Sequence, residues 1–248
     1  MQEKMTALVT GANKGLGKQV ARELVKNGYA VLVGSRDFAN GQKAAEEIGD
    51  GAVAIQLDVT DAQSIANAAE RIKAEFGRLD LLINNAGIVQ SGRYGSGEEV
   101  IAASVASVAP VDEVRAVFET NVFGALAVTQ AMLPLIRLSS AGRIVNVSSG
   151  VASLTLNADP SFPFRPSYGV TYSASKTALN AITMALAIEL EDSGIKVRAA
   201  GPGYTATAIN DFQGTDSVEV GARPLVLAAL DMESPTGSFT GPDGAYPW

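Results

Sequence analysis

Tyr172 and Lys176 stand four residues apart in a stretch, Tyr172 to Leu190, whose apolar residues recur at helical spacing. On a helix the two share one face. Ala174, Ala178, Leu179, Ile182, Leu186 and Ile188 make that helix apolar nearly all round, the pattern of a buried helix. A lysine near its start is costly unless it has a partner or a task. A buried ammonium favours a nearby phenolate and lowers the tyrosine pKa. Tyr172 is then expected to be a proton donor usable near neutral pH. Taken alone, Tyr-x-x-x-Lys is common by chance, and a lysine stem running out to solvent explains it as well. Other polar residues interrupt equally apolar surroundings. Asn121 lies among Val117, Phe118, Val122 and Phe123, and a buried amide there needs partners. Ser148 and Ser149 close one apolar run, Asn84-Asn85-Ala86-Gly87 follow a second, and Pro202-Gly203-Tyr204-Thr205 follow a third.

The residues that are missing narrow the chemistry further. The 248-residue chain has no histidine and no cysteine. That excludes Ser-His-Asp catalysis, histidine or thiolate metal ligation, and disulfides. Tyr, Lys, Ser, Asp, Glu or a cofactor must carry the reaction. The stretch Thr10-Gly11-Ala12-Asn13-Lys14-Gly15-Leu16-Gly17 suits a cofactor. It joins the apolar run Met5–Val9 to a helical repeat of Val20, Ala21, Leu24 and Val25. Such a turn lets backbone N–H groups at a helix start face a phosphate. Gly11 permits the tight turn, and Gly15 and Gly17 permit close approach of ligand and sheet.

The elements that must position these groups alternate from end to end. Strands are expected at 5–9, 30–33, 52–57, 79–83, 143–147, 195–199 and near 238–240. Helices are expected after the glycine turn and at 40–48, 61–76, 114–138, 172–190 and 217–232, with Asp61 as an N-cap and Pro134 bending the long helix. This alternation predicts a single α/β domain over 1–248: a doubly wound, Rossmann-like parallel sheet of about seven strands with helices on both faces. Right-handed crossovers place every strand C-terminus on one edge, where ligands bind. The long segments 88–111, 150–167 and 202–216 follow strands four, five and six and therefore belong to that edge.

Taken together, Thr-Gly-x-x-x-Gly-x-Gly, Asn-Asn-Ala-Gly, the helix Asn121, the serine after strand five, Tyr-x-x-x-Lys and Pro-Gly resemble the short-chain dehydrogenase/reductase family. The compact, single-domain type matches over nearly the whole chain. Thr-Gly-Ala-Asn-Lys-Gly, Gly-Ser-Arg-Asp after strand two and the Pro-Trp tail are most similar to its carbonyl reductases. The resemblance implies that Tyr172 protonates the carbonyl oxygen and that Ser149 hydrogen-bonds it. It implies that Lys176 binds the nicotinamide ribose and that Asn121 holds a water relaying protons to Lys176. Gly11, Gly15 and Gly17 would wrap the pyrophosphate, with Asn13 and Leu16 beside them. Asp58 and Val59 would meet the adenine, and Asn85, Ala86 and Gly87 the adenosine ribose. Pro202 and Gly203 would lead to Thr205, whose backbone holds the carboxamide. No metal is implied. The segment between Ser149 and Tyr172 is longer than in simple family members. Its Phe162, Pro163 and Phe164 form either a wall of the substrate pocket or a solvated, proline-stiffened loop.

Cofactor choice turns on the end of strand two. NAD-specific sites of this fold put an acid there; this chain has Ser35 and Arg36, with Asp37 only afterwards. Arg36 and Lys14 suit a 2′-phosphate, which makes NADP(H) the expected cofactor, although an exposed Arg36–Asp37 pair is the ordinary alternative. The expected reaction is hydride transfer between NADP(H) and a ketone or aldehyde. Val151, Leu154, Phe162, Phe164, Tyr204 and Phe212 in the edge loops point to an apolar or aromatic substrate. A non-catalytic nucleotide-sensing module of the same fold is the rival, and an NAD-holding epimerase or dehydratase a weaker one. Net charge −7 argues against nucleic acid. Met5–Val9 is too short for a signal h-region, and no run reaches membrane-spanning length without a charge or glycine, so a cytoplasmic protein is expected. The apolar helices 114–138 and 172–190 are apolar on more faces than one sheet covers; the resemblance implies that they pair in a homo-oligomer, a dimer or tetramer, the alternative being a monomer in which the insert before the tyrosine covers them.

Overall fold

The computed structural model describes residues 4–248. The first elements are β1 (Thr6–Val9), α1 (Gly15–Lys26), β2 (Ala30–Ser35), α2 (Phe38–Ile48), β3 (Ala52–Gln56), α3 (Ala62–Phe76) and β4 (Leu81–Asn84). Then come α4 (Gly97–Ala103), α5 (Val111–Phe118), a π-helical segment (Glu119–Gly124), α6 (Ala125–Ile136) and β5 (Arg143–Val147). The short α7 (Leu154–Ala158), α8 (Tyr172–Glu189), β6 (Lys196–Ala200), α9 (Val218–Leu230), β7 (Phe239–Gly241) and β8 (Gly244–Ala245) complete the chain. The expected alternation is present. What the sequence reading lacked is β8, a two-residue strand, and the five-residue α7 within 150–167, a segment read as irregular; both are too short to carry a periodic signal.

One sheet holds every strand, in the order β3-β2-β1-β4-β5-β6-β7-β8. All neighbours are parallel except β7 and β8. Alternation within the strands supplies two cores. Ala7 and Val9 face a layer with Val20 and Leu24 of α1, Ala44 of α2 and Leu225 of α9. Leu8 and Leu82 face Ile65 and Ile72 of α3, Met132 and Ile136 of α6, and Leu186 of α8. Both faces are therefore covered, as an all-parallel region requires. The chain lays β2 and β3 outward from β1, then returns to put β4 on its other side. That reversal brings the C-terminal ends of β1 and β4 together at the switch point where such sheets bind ligands.

The long helix after the 88–111 segment differs from its expected outline. It begins at Val111 and widens into π geometry over Glu119–Gly124 before continuing as α6. Gly124 explains part of this: a Cβ there would stand 2.8 Å from the Val59 carbonyl oxygen, so only glycine lets the helix sit against that loop. By length and composition Val111–Ile136, 26 residues with an 18-residue stretch of mean hydropathy 1.3, could cross a membrane. Here Val117, Val128, Met132 and Ile136 are buried in the protein instead.

Candidate active site at the carboxyl edge of the sheet

The glycine turn and the segment after β4 form one unit. Thr10 Oγ1 accepts from the backbone N–H groups of Asn85 (3.0 Å) and Ala86 (2.9 Å). Asn85 Nδ2 donates back to the Thr10 carbonyl at 2.8 Å and the Gly11 carbonyl at 3.2 Å. Gly11 has φ +62°, and a Cβ there would stand 3.0 Å from Ala86 Cα. A Cβ on Gly17 would run into Asn85 Nδ2. Two glycines are thus required by packing, whereas Gly15, at φ +52°, faces open space apart from Thr207. No acidic residue stands in the first turn of α1. A bare helix N-terminus behind a glycine cradle fits the pyrophosphate of a dinucleotide. Asn13 and Leu16 flank the cradle, both partly exposed.

The end of β2 belongs to the same unit, because Ala12 N–H donates to the Gly34 carbonyl at 2.8 Å. Asp37 is the N-cap of α2 and accepts from Asn40 N–H at 2.9 Å. Its carboxylate is therefore engaged in capping and forms no ion pair with Arg36 among the described residues. Arg36 and Lys14 are exposed, and neither side chain has a hydrogen-bond or ion-pair partner among the described residues. Asp58 Oδ1 is held by Thr60 N–H and Oγ1 at 2.9 and 2.7 Å, and Val59 is buried under the Gly124 turn.

Tyr172 begins α8, and Lys176 follows one turn later on the same face, 3% exposed. Ser149 neighbours the Tyr172 phenol and favours its ionised form. The choice between the two serines has a physical reason. Ser148 Oγ donates to Asn180 Oδ1 at 2.6 Å inside the protein, so only Ser149 faces the tyrosine. Lys176 Nζ donates to the Val147 carbonyl at 2.8 Å and lies 5.8 Å from the Tyr172 ring centre. Asn121, fully buried, sits in the π segment. Its Nδ2 donates to the Ile88 carbonyl (2.8 Å) and Ser175 Oγ (3.0 Å), and its Oδ1 accepts from Ile88 N–H (2.8 Å). A π turn rotates a side chain off the helical repeat, which is how Asn121 reaches the segment after β4. At Gly87 the groups converge: a Cβ there would meet Asn121 Oδ1 at 3.3 Å and Lys176 Nζ at 3.4 Å.

One electrostatic expectation is corrected. Tyr172 is not acidified in the free protein; burial pushes its pKa up to about 12, opposed by the neighbouring Ser149. Burial also pushes Lys176 down to about 8. The ammonium donates to a backbone carbonyl rather than to the phenol, so desolvation outweighs its pull on Tyr172. A second expectation is narrowed. Thr205 is buried, its Oγ1 donates to the Pro202 carbonyl (3.0 Å), and its own carbonyl already accepts from Asn210 Nδ2 (3.0 Å). Gly203 supplies the turn at φ +78°.

Several contributors escaped the sequence reading. Thr10 is one. Another is a buried ladder beneath the site: Asn84 Nδ2 donates to Thr129 Oγ1 (2.9 Å) and Asn146 Oδ1 (2.8 Å), and Asn146 Nδ2 donates to Thr183 Oγ1 (2.8 Å). It ties β4 and β5 to α6 and α8. Asn146, polar inside an apolar strand, was its available signal. Glu113, 1% exposed, accepts from Ser91 N–H (2.6 Å) and Oγ (2.5 Å) and anchors the 88–111 segment; nothing local in the sequence marks it. The insert before Tyr172 reaches the loop after β6, with Phe164 5.9 Å from Tyr204 and 5.8 Å from Phe162. Most of the insert, Phe164 included, is exposed to solvent, and a hollow of about 560 Å³ lined by Asn157, Phe162, Arg165 and Tyr168 lies within it.

A parallel doubly wound sheet with a Ser-Tyr-Lys-Asn cluster at its switch edge defines a nucleotide-dependent oxidoreductase class. The sequence model of the short-chain dehydrogenases matches residues 5–217, and the chain belongs to that family. A short-chain dehydrogenase of Penicillium roqueforti, anuI, is 36% identical, covering 92% of this chain and 89% of that protein. The NADPH-bound carbonyl reductase from chicken fatty liver superposes with TM-score 0.81 at 25% identity, covering 99% of this chain and all 100% of that one. A 3-ketoacyl-(acyl-carrier-protein) reductase of Brucella melitensis in complex with NADH gives 0.77 at 26%, covering 97% of each chain. The family works with nicotinamide cofactors, and the glycine cradle here fits one.

Proposed function

We propose that this chain reduces apolar or aromatic ketones or aldehydes with NADPH, or runs the reverse oxidation. The observation that carries the reading is the convergence of Lys176 and Asn121 on Gly87, behind a Tyr172 phenol that has Ser149 as its neighbour. Gly11, Gly15, Gly17, Asn85, Ala86 and Gly87 would hold the dinucleotide, with Lys176 at its ribose and Pro202, Gly203 and Thr205 at its carboxamide end. When bound, the reduced nicotinamide supplies a hydride to the carbonyl carbon. Tyr172 keeps its proton throughout the physiological range, because burial holds its pKa near 12. It delivers that proton to the carbonyl oxygen, and Ser149 donates a second hydrogen bond to the same oxygen. The resulting phenolate lies beside the Lys176 ammonium, and Asn121 borders the route by which a proton returns. A sensor module has no use for all four groups.

The preference for NADPH rests on Arg36 and Lys14, exposed and without partners among the described residues, and on Asp37, engaged as a helix cap. A charge-assisted hydrogen bond contributes roughly 1.5–3 kcal/mol. Arg36→Ala should therefore weaken NADPH by about 10- to 150-fold and leave NADH nearly unchanged. The test is kcat/KM for both cofactors across a ketone panel, in the wild type and the variant. A wild type that prefers NADH, or equal damage to both cofactors, removes Arg36 from the cofactor site. The aromatic contact between Phe164 and Tyr204 supports an apolar substrate.

A further inference from the structure

Tyr246 lies outside every motif of the family, yet its ring rests on the backbone beside Ser149. Three glycines surround it: Gly150 just after β5, Gly201 just after β6, and Gly241 at the end of β7. A Cβ on Gly150 would lie 3.5 Å from Tyr246 Cε2, and one on Gly201 would lie 3.4 Å from the same atom. A Cβ on Gly241 would run into the ring. The same Cβ on Gly201 would lie 3.5 Å from Ser149 C and from Gly150 N. The ring, the Ser149–Gly150 peptide and the end of β6 thus pack directly, with no side chain between them.

The ring is itself held. Tyr246 N–H donates to the Phe239 carbonyl at 2.8 Å. Its ring meets the buried Phe239 edge to face, at 5.2 Å and 76°. Phe239 in turn stacks on Trp248 at 5.3 Å. Ser149, by contrast, is weakly tied locally. It opens the 3₁₀ turn Gly150–Ala152 with extended backbone, and its side chain makes no capping hydrogen bond. Its hydroxyl is one rotatable bond from the main chain, so where the peptide sits decides where the hydroxyl points.

We propose that Tyr246 is a positioning residue for the reduction, its ring holding the Ser149–Gly150 peptide so that the Ser149 hydroxyl meets Tyr172 and the substrate oxygen. This rests on the function proposed above. The Tyr246 phenol has no hydrogen-bond partner among the described residues, and burial, with the Asp243 charge second, raises its pKa. The neutral ring is therefore the working part, and its hydroxyl is dispensable.

A double-mutant cycle tests this in the full chain. Ser149→Ala should lose about 10²–10³ in kcat, the value of an oxyanion donor. Tyr246→Ala should lose about 10-fold or more in kcat, because small displacements of a positioned group are costly. NADPH binding, read by nucleotide fluorescence, should stay within about 2-fold, and Tyr246→Phe should restore turnover. In the Ser149→Ala background, Tyr246→Ala should cost less than about 2-fold, the mark of residues acting through one another. Additive losses, a Phe variant as poor as the Ala variant, or a loss confined to NADPH affinity would each overturn the proposal. Tyr246→Leu keeps an apolar tail if the Ala variant fails to fold, and the same coupling is expected. Hydrogen exchange gives a second readout. Ala152 N–H donates to the Ser149 carbonyl and Ser153 N–H to the Gly150 carbonyl. Both amides should exchange faster in the Tyr246 variant while Thr10 N–H, bonded to Ile83 in the sheet, stays protected. If the wild type reduces no carbonyl, the proposed function fails, and the exchange result alone decides whether the ring holds the turn; unchanged exchange refutes it.

Discussion

Lys176→Met in the cofactor-free protein tests the electrostatics of the site through stability. The wild-type ammonium is buried with one backbone carbonyl as its described acceptor. Burial lowers its pKa from 10.5 to about 8. Between those values the unfolded chain keeps a proton that the folded chain has released. Folding stability therefore rises with pH across that window. At 1.36 kcal/mol per pKa unit the full gain is roughly 3 kcal/mol, and roughly 1 kcal/mol of it arrives between about pH 7 and about pH 9. Tyr172 acts in the opposite sense, since its folded pKa of about 12 exceeds the ordinary 10. Its contribution is present below pH 10 and is lost towards pH 12, so measurements kept below about pH 9.5 isolate the lysine. Methionine preserves the apolar stem and removes the charge. It forfeits the Val147 hydrogen bond, a loss that shifts the whole curve without giving it a slope. Urea unfolding of both proteins at several pH values reads the difference directly. The wild type should gain about 1 kcal/mol on the variant over the window. A flat or shrinking difference would mean that Lys176 is not a buried ammonium of depressed pKa, and the reasoning would fail.

Tyr172→Phe should keep the fold and cofactor binding but lose about 10²–10⁴ in turnover, the usual worth of a positioned acid; steady-state kinetics with a nucleotide-binding control checks it, and near-normal turnover removes Tyr172 from the mechanism. Gly17→Ala forces a methyl group into Asn85 Nδ2 and to 2.8 Å from the Gly11 carbonyl oxygen. It should cost about 1–3 kcal/mol of stability and abolish measurable NADPH binding, read by thermal melting and fluorescence titration. The groove between α6 and α8, lined by Leu126, Leu133, Ile182 and Leu186 and flanked by the exposed Phe123 and Ile188, is expected to pair with a second copy. Light scattering should give a mass at least twice the 25.6 kDa of the chain, and a monomer mass at micromolar concentration would contradict this.

Local repeats made the fold legible before any coordinates. Strand and helix periods, the glycine turn and the N-cap Asp61, which accepts from Gln63 and Ser64 N–H groups, are written within a few residues of one another. The relation of Tyr172 to Lys176 is of the same kind, since four residues on a helix fix a shared face. The alternation of strands and helices likewise implied one binding edge through the handedness of crossovers. Tertiary packing decided everything that depends on residues far apart in the chain. Asn180 takes up Ser148 and leaves Ser149 to the tyrosine. The Val147 carbonyl claims the Lys176 ammonium, and burial raises the Tyr172 pKa that a local reading would lower. The π turn at Asn121 exists where Gly124 meets Val59, and Tyr246 reaches Ser149 only because β5, β6 and β7 end side by side. Desolvation and hydrogen-bond competition are set by what surrounds a group in three dimensions, and no spacing along the chain encodes them.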